Sequence, residues 1–205
     1  MYAPSHFDET RIDVLQALIT AHPLGTLVMQ GAGGLDADHI PFEISAPTGD
    51  APFGVLRAHV ARGNPLWRQA GAPALVVFQG PSAYISPAHY EEKRASGKVV
   101  PTYNYAVVHA HGALRAIEDP VWLLSLLERL TARHESTRAA PWSVHDAPRG
   151  YIDKLMEAIV GIEVPVQRMQ GKWKLSQNRP RQDQLNIVEG SGAEMAALMR
   201  ARVRE

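Results

Sequence analysis

Four short runs hold the side chains best suited to chemistry in this chain. The first, HVARGNPLW at residues 59 to 67, sets Arg62, Gly63 and Asn64 before a proline that suits a first helical turn. A strand ending there would present free backbone N–H groups and the positive end of a helix dipole. Arg62 could then clamp two phosphate oxygens. The same residues equally describe a capped surface turn with a solvated arginine. In the second run, His109 and His111 stand two apart on a presumed strand and so share one face, as metal-binding pairs can. No third ligand is evident, so no metal site is assigned. The third run, GPSAYISPAHYEEK followed by VPTYNY, gathers Tyr84, Tyr90, Tyr103 and Tyr105 near Ser86, Thr102 and Asn104. Aromatic faces beside small hydrogen-bonding groups suit a planar heteroaromatic ligand, and they also suit an aromatic core with hydroxyls at its rim. The fourth, GKWKLSQN at 171 to 178, puts Lys172, Lys174 and Ser176 together on one face and Trp173 on the other, if it is a strand. Its lysines could meet phosphate, nucleic acid or solvent.

The elements that must position these runs are short. Ile12, Leu15, Leu18 and Ile19 recur at helical spacing, and His22-Pro23 ends the pattern. From Gly25 the texture changes to apolar and β-branched runs, GTLVMQ, DHIPFEI, FGVLRAHV and PALVVFQG, each bounded by glycine, proline or aspartate. Strands that follow one another without intervening long helices favour an antiparallel meander or barrel. A long strand pair fills 99 to 117, and Asp119-Pro120 then caps a helix with Leu123, Leu126, Leu127 and Leu130 as its buried stripe. A second helical pattern carries Ile152, Leu155, Met156 and Ile159. IVGIEVPVQRMQG reads as the closing strand, and a polar segment leads to a last helix with Met195, Leu198 and Met199. This is one mainly β domain over 1–205, with a helical tail from about 180.

Composition narrows the partners. Lys plus Arg equals Asp plus Glu at 21 each, so no overall basic field draws the chain to DNA or an acidic membrane, and DNA contact would need a local patch. Cysteine is absent, which removes disulfides and thiolate chemistry and fits a reducing compartment. The start lacks the pattern of a signal peptide, and no run of about 18 apolar residues occurs; the expected location is cytoplasmic. The G-x-S-x-G, P-loop, H-E-x-x-H and G-x-G-x-x-G signatures are all missing, and no helix-turn-helix spacing is present.

Read together, MYAPSHF, ADHIPF, HVARGNP, FQGPSAYISP, VPTYNYAVVHAHG, PWSVHDAP, IVGIEV and GKWKLSQNRP look like the ordered blocks of the PaiB family, from residue 1 to about 180. That resemblance implies an FMN-binding split β-barrel, an antiparallel Greek-key barrel with peripheral helices. It further implies a homodimer with flavin at the subunit interface and a role as a negative transcriptional regulator. It places the FMN phosphate at His59, Arg62 and Asn64 with His39 nearby, and the ring system by Tyr84, Thr102, Tyr103 and Asn104. Trp173, Lys174 and Gln177 would reach in from the partner. The chain departs from the family pattern at Asp38 for Thr, Gly63 for Ala, His89 for Trp and Tyr103 for Trp, which thins the aromatic wall. Two other readings are compatible with a split barrel: a flavin-dependent oxidoreductase drawing on NAD(P)H, and a haem-binding barrel with a histidine axial ligand.

Overall fold

The computed structural model describes residues 1–31 and 33–203. In chain order its elements begin with β1 (Asp8–Glu9), α1 (Ile12–Ala21), β2 (Leu24–Gly31), β3 (Gly34–Pro41), β4 (Glu43–Ile44) and β5 (Val55–Ala61). β6 (Pro73–Ile85), α2 (Glu92–Ala95), β7 (Thr102–Ala113), β8 (Arg115–Ile117) and α3 (Pro120–Glu135) follow. The chain ends in α4 (Arg149–Glu157), β9 (Ile159–Lys174), α5 (Arg181–Glu189) and α6 (Ala193–Arg200). Hydrogen-bonded neighbours follow the order β3-β2-β6-β7-β9-β5-β4, with β1 and β8 also pairing with β9.

The residues form two compact units, each discontinuous in sequence. One comprises 1–22, 78–109 and 170–205, and the other comprises 23–77 and 110–169. In the first, α1 buries Leu15, Leu18 and Ile19 in a core with Phe78, Ile85, Val108, Trp173 and Leu175. Each such side chain contributes about 1.5–3 kcal/mol on leaving water. α1 sits directly on β9, because a Cβ at Gly171 would lie 2.3 Å from Leu15 Cδ2. In the second unit, Leu27, Phe42, Leu56, Val76, Leu126 and Ile162 are buried, and α3 is seated in a similar way. A Cβ at Gly161 would lie 2.3 Å from the Trp122 ring. Asp119 caps α3 as its position suggests, accepting a hydrogen bond from the Val121 N–H at 2.8 Å. Leu123 and Leu126 form the buried centre of the predicted stripe, with Leu127 and Leu130 half-buried.

Three boundaries differ from the sequence reading. PALVVFQG does not stop at Gly80, and β6 runs on to Ile85. Gly80 is a packing position there, since a Cβ would meet Leu18 at 2.9 Å. Ile159 opens β9 and does not close α4. The polar tail holds a helix, α5, in addition to α6. Its inward Asp183 is buried and accepts a hydrogen bond from the Glu91 backbone N–H at 2.9 Å, so a polar residue takes a place where the apolar period called for a hydrophobe.

Candidate functional site

In the second unit, β5 delivers His59 and then the turn holding Arg62 and Asn64. The turn leads into a five-residue 3-10 helix, Pro65–Gln69, too short to carry a developed macrodipole. Asn64 caps it, its Oδ1 accepting from the Leu66 N–H at 2.9 Å, while its amide donates to Asp38 Oδ1 at 2.8 Å. The adjoining cavity is bordered by Asp36 and Asp38 as well as Asn64. Arg62 donates to Glu118 Oε2 at 2.6 Å, to the Glu157 carbonyl at 2.8 Å and to the Ile159 carbonyl at 3.2 Å. Phosphate oxygens would therefore find carboxylates nearby and an arginine fork already filled by the protein's own acceptors. His59 lines a different, apolar cavity with Leu127, Trp142 and Met156, where burial pushes its imidazole below the ordinary histidine range. His39 is exposed on β3, on the opposite side from Asp38. The structure thus sends these four residues to four separate surroundings.

The first unit brings its predicted residues together. Tyr84 on β6 and Tyr103 on β7 meet edge to face, centroids 5.9 Å apart, and they remain 57% and 58% exposed. Lys174, at the end of β9, donates to the Tyr103 carbonyl at 2.7 Å and also to Thr102 Oγ1. Two residues earlier, Lys172 lies 5.4 Å from the Tyr105 ring centroid. The strand reading of GKWK holds, with both lysines half-buried on one side and Trp173 buried on the other. Trp173 is therefore a core residue, and Arg202 stands 5.7 Å over its ring. Gln177 closes the turn after β9: its Oε1 accepts from the Leu175 N–H at 2.7 Å and its amide donates to the Trp173 carbonyl. Asn104 is fully buried, accepting from the Ser176 hydroxyl at 3.0 Å and donating to Met199 Sδ at 3.6 Å. Ser176 has left the strand and adopts φ 64°, the single non-glycine with positive φ among the described residues. Burial pushes the Lys174 ammonium below the ordinary lysine range. Tyr105 opposes that shift, while Lys172 and Arg179 add to it.

A family model described as a putative FMN-binding domain matches residues 1–168. The protease synthase and sporulation protein PAI 2 of Bacillus subtilis is 30% identical to this chain, over 100% of this chain and 99% of its own length. This chain belongs to the PaiB family. An uncharacterized protein of Emericella nidulans is 34% identical, across 93% of this chain and 90% of that one. Among solved structures, an FAD and heme binding protein from Mycobacterium smegmatis superposes with a TM-score of 0.61 at 20% identity, covering 90% of this chain and 80% of its own. This PaiB-family chain thus has the split-barrel fold class, an antiparallel sheet with peripheral helices.

The Tyr84–Tyr103 pair offers exposed aromatic surface, Lys172 lies beside the Tyr105 ring, and Lys174 is bonded to the Tyr103 backbone carbonyl. Sequence reasoning missed Arg179, whose guanidinium carbon lies 4.5 Å from the Tyr90 ring centroid. The available signal was a second arginine-proline turn, NRP, resembling the RGNP of the first run. Among the described residues, no group of three or more His, Asp or Glu side chains is placed to hold a metal ion. No described helix is long and apolar enough to cross a membrane.

Proposed function

We propose that this PaiB-family chain binds FMN on the tyrosine and lysine face of its first unit and acts as a flavin-linked negative transcriptional regulator in the cytoplasm. The observation that carries the flavin reading is the exposed Tyr84–Tyr103 pair flanked by Lys174, an open aromatic platform with a cation at its edge. Bound flavin would supply a reversible two-electron centre. The chain's own residues stack on the ring and hold positive charge beside its polar edge. More than half-exposed tyrosines on such a face also suit burial by a second copy, so a homodimer is part of the proposal. The regulatory half is supported by family membership. The balanced charge argues that any DNA contact runs through a local patch or a partner protein.

The open platform favours one second reading, a flavin oxidoreductase, because a ring seated there leaves room for a second planar molecule such as NAD(P)H. Four measurements separate these readings. FMN titration by fluorescence should saturate, and Tyr103→Ala should weaken binding about tenfold, matching a stacking contribution of about 1–1.5 kcal/mol. A haem Soret band with no flavin retention would overturn the flavin reading. NADPH oxidation by the FMN-loaded protein would favour the enzyme, whereas salt-sensitive promoter binding without turnover would favour the regulator.

A further inference from the structure

The turn after β9 encloses a small pocket that the flavin reading leaves unassigned. Thr102, Asn104, Lys174, Ser176 and Arg179 contribute its polar wall, and its volume is about 120 Å³, room for a single compact group. Among the described residues, no Asp or Glu borders it. Lys174 directs two hydrogen bonds to neutral oxygens, Thr102 Oγ1 and the Tyr103 carbonyl, leaving its third N–H uncommitted. Arg179 forms no ion pair among the described residues. Its guanidinium carbon lies 4.5 Å from the centroid of the buried Tyr90 ring instead, a contact that positions the side chain without using its N–H donors on a carboxylate. By contrast Glu9, the other ionic centre of this unit, is bonded by both Arg11 and Arg202. Uncompensated cations in a partly buried setting are costly, and an anion relieves that cost. The positive φ of Ser176 is a strained conformation of the kind found at ligand clamps, and it is held by the Ser176 hydroxyl donating to the buried Asn104.

We propose that this pocket is an oxyanion site for the phosphoryl group of a phosphate monoester, with Lys174 and Arg179 as its charged donors and the Thr102 hydroxyl, which accepts from Lys174 and keeps its own proton, as its neutral one. Lys174, Ser176 and Arg179 lie beyond the stretch matched by the family model. Tyr103 and Thr102 point to opposite sides of β7, so the pocket and the tyrosine face are distinct, and Lys174 links them. The phosphoryl group is therefore that of FMN or that of a separate phosphorylated ligand.

The test compares wild type with the Lys174→Met/Arg179→Gln double variant, Arg179→Lys serving as a charge-preserving control and thermal melting as the check on folding. Inorganic phosphate binding is read by calorimetry, and FMN and riboflavin binding by fluorescence. The double variant should lose phosphate affinity by about tenfold or more, with Arg179→Lys recovering part of it. The flavin arms are read on the Arg179→Gln single variant, which keeps Lys174 beside the tyrosines: a loss for FMN with riboflavin unchanged assigns the pocket to the flavin's own phosphate, and unchanged FMN binding assigns it to a separate monoester. If wild type binds phosphate and neither flavin, the flavin reading fails and the pocket stands. Absent phosphate binding in wild type, or equal phosphate affinity in the folded double variant, overturns the proposal. Should the double variant not fold, the Arg179→Gln single variant carries the same comparison.

Discussion

Two turns in this molecule are built from nearly the same residues and do opposite things. One follows β5 as Arg62-Gly63-Asn64-Pro65, the other follows β9 as Asn178-Arg179-Pro180, and each leads from a strand into a proline-started helix. In the first, the arginine is filled by one carboxylate and two carbonyls, and the asparagine by Asp38. In the second, the arginine rests on a tyrosine ring without an ionic partner among the described residues. Side-chain type and spacing do not decide which turn can take an anion. The acceptors that surrounding elements place within reach of the donors do.

The comparison can be broken most forcefully at its two indoles. Trp173 anchors the second turn at 1% exposure, so Trp173→Ala should cost about 3–5 kcal/mol in chemical denaturation. Trp67, half-buried beside Arg62 and Arg68 and donating to the Arg62 carbonyl at 3.1 Å, should cost about 1–2 kcal/mol when truncated. Equal losses would dissolve the contrast. Next in size is Ser176→Ala, which leaves the fully buried Asn104 oxygen without its donor and keeps the unfavourable φ, a cost of about 1–3 kcal/mol. Ser176→Gly should cost less, because glycine adopts positive φ freely. Denaturation midpoints that rank the two the other way would show that the turn is not strained.

The arginines then cross over. Arg62→Ala should lower stability by about 1 kcal/mol, since its ion pair with Glu118 is largely exposed, and should leave phosphate binding intact. Arg179→Ala should leave the melting temperature nearly unchanged and weaken phosphate binding. The smallest effect is a pH dependence centred on Glu9 in the first unit. Burial alone would raise the Glu9 carboxyl, but bonds from the Arg11 side chain and backbone and from Arg202 outweigh it and hold the pKa at about 2. A depressed carboxylate stabilises the fold above its unfolded pKa, and that stability is lost as pH falls from about 4.5 toward 2. Acid titration of unfolding should show the loss, on the order of 1 kcal/mol, and Glu9→Gln should flatten it.

Much of this was readable beforehand because it depends on local rules. Strand runs bounded by turn residues, the Asp119 cap and the alternation of Lys172, Trp173 and Lys174 all follow from nearest neighbours in the chain. The environment of Arg62 depends on Glu118, Glu157 and Ile159, which lie 56, 95 and 97 residues away, and no periodicity announces them. The grouping of Asn104 with Ser176, 72 residues apart, was hidden for the same reason. The helical tail expected from about 180 holds two helices, and α5 was not separated from α6 because its buried Asp183 answers a backbone donor where an apolar stripe would mark a helix of its own.

Every residue from Glu91 to Lys98 is exposed, with the short α2 and a left-handed Gly97 between β6 and β7. That stretch offers trypsin three cleavage points, at Lys93, Arg94 and Lys98, where little packing opposes an extended bound conformation. Lys172 and Lys174, held within a paired strand, should be cut far more slowly. A nick there would sever the chain between Tyr84 and Tyr103 while their ring contact and the flanking strands stay in place. Protease digestion could therefore convert this protein into a two-fragment complex that still carries the whole tyrosine platform.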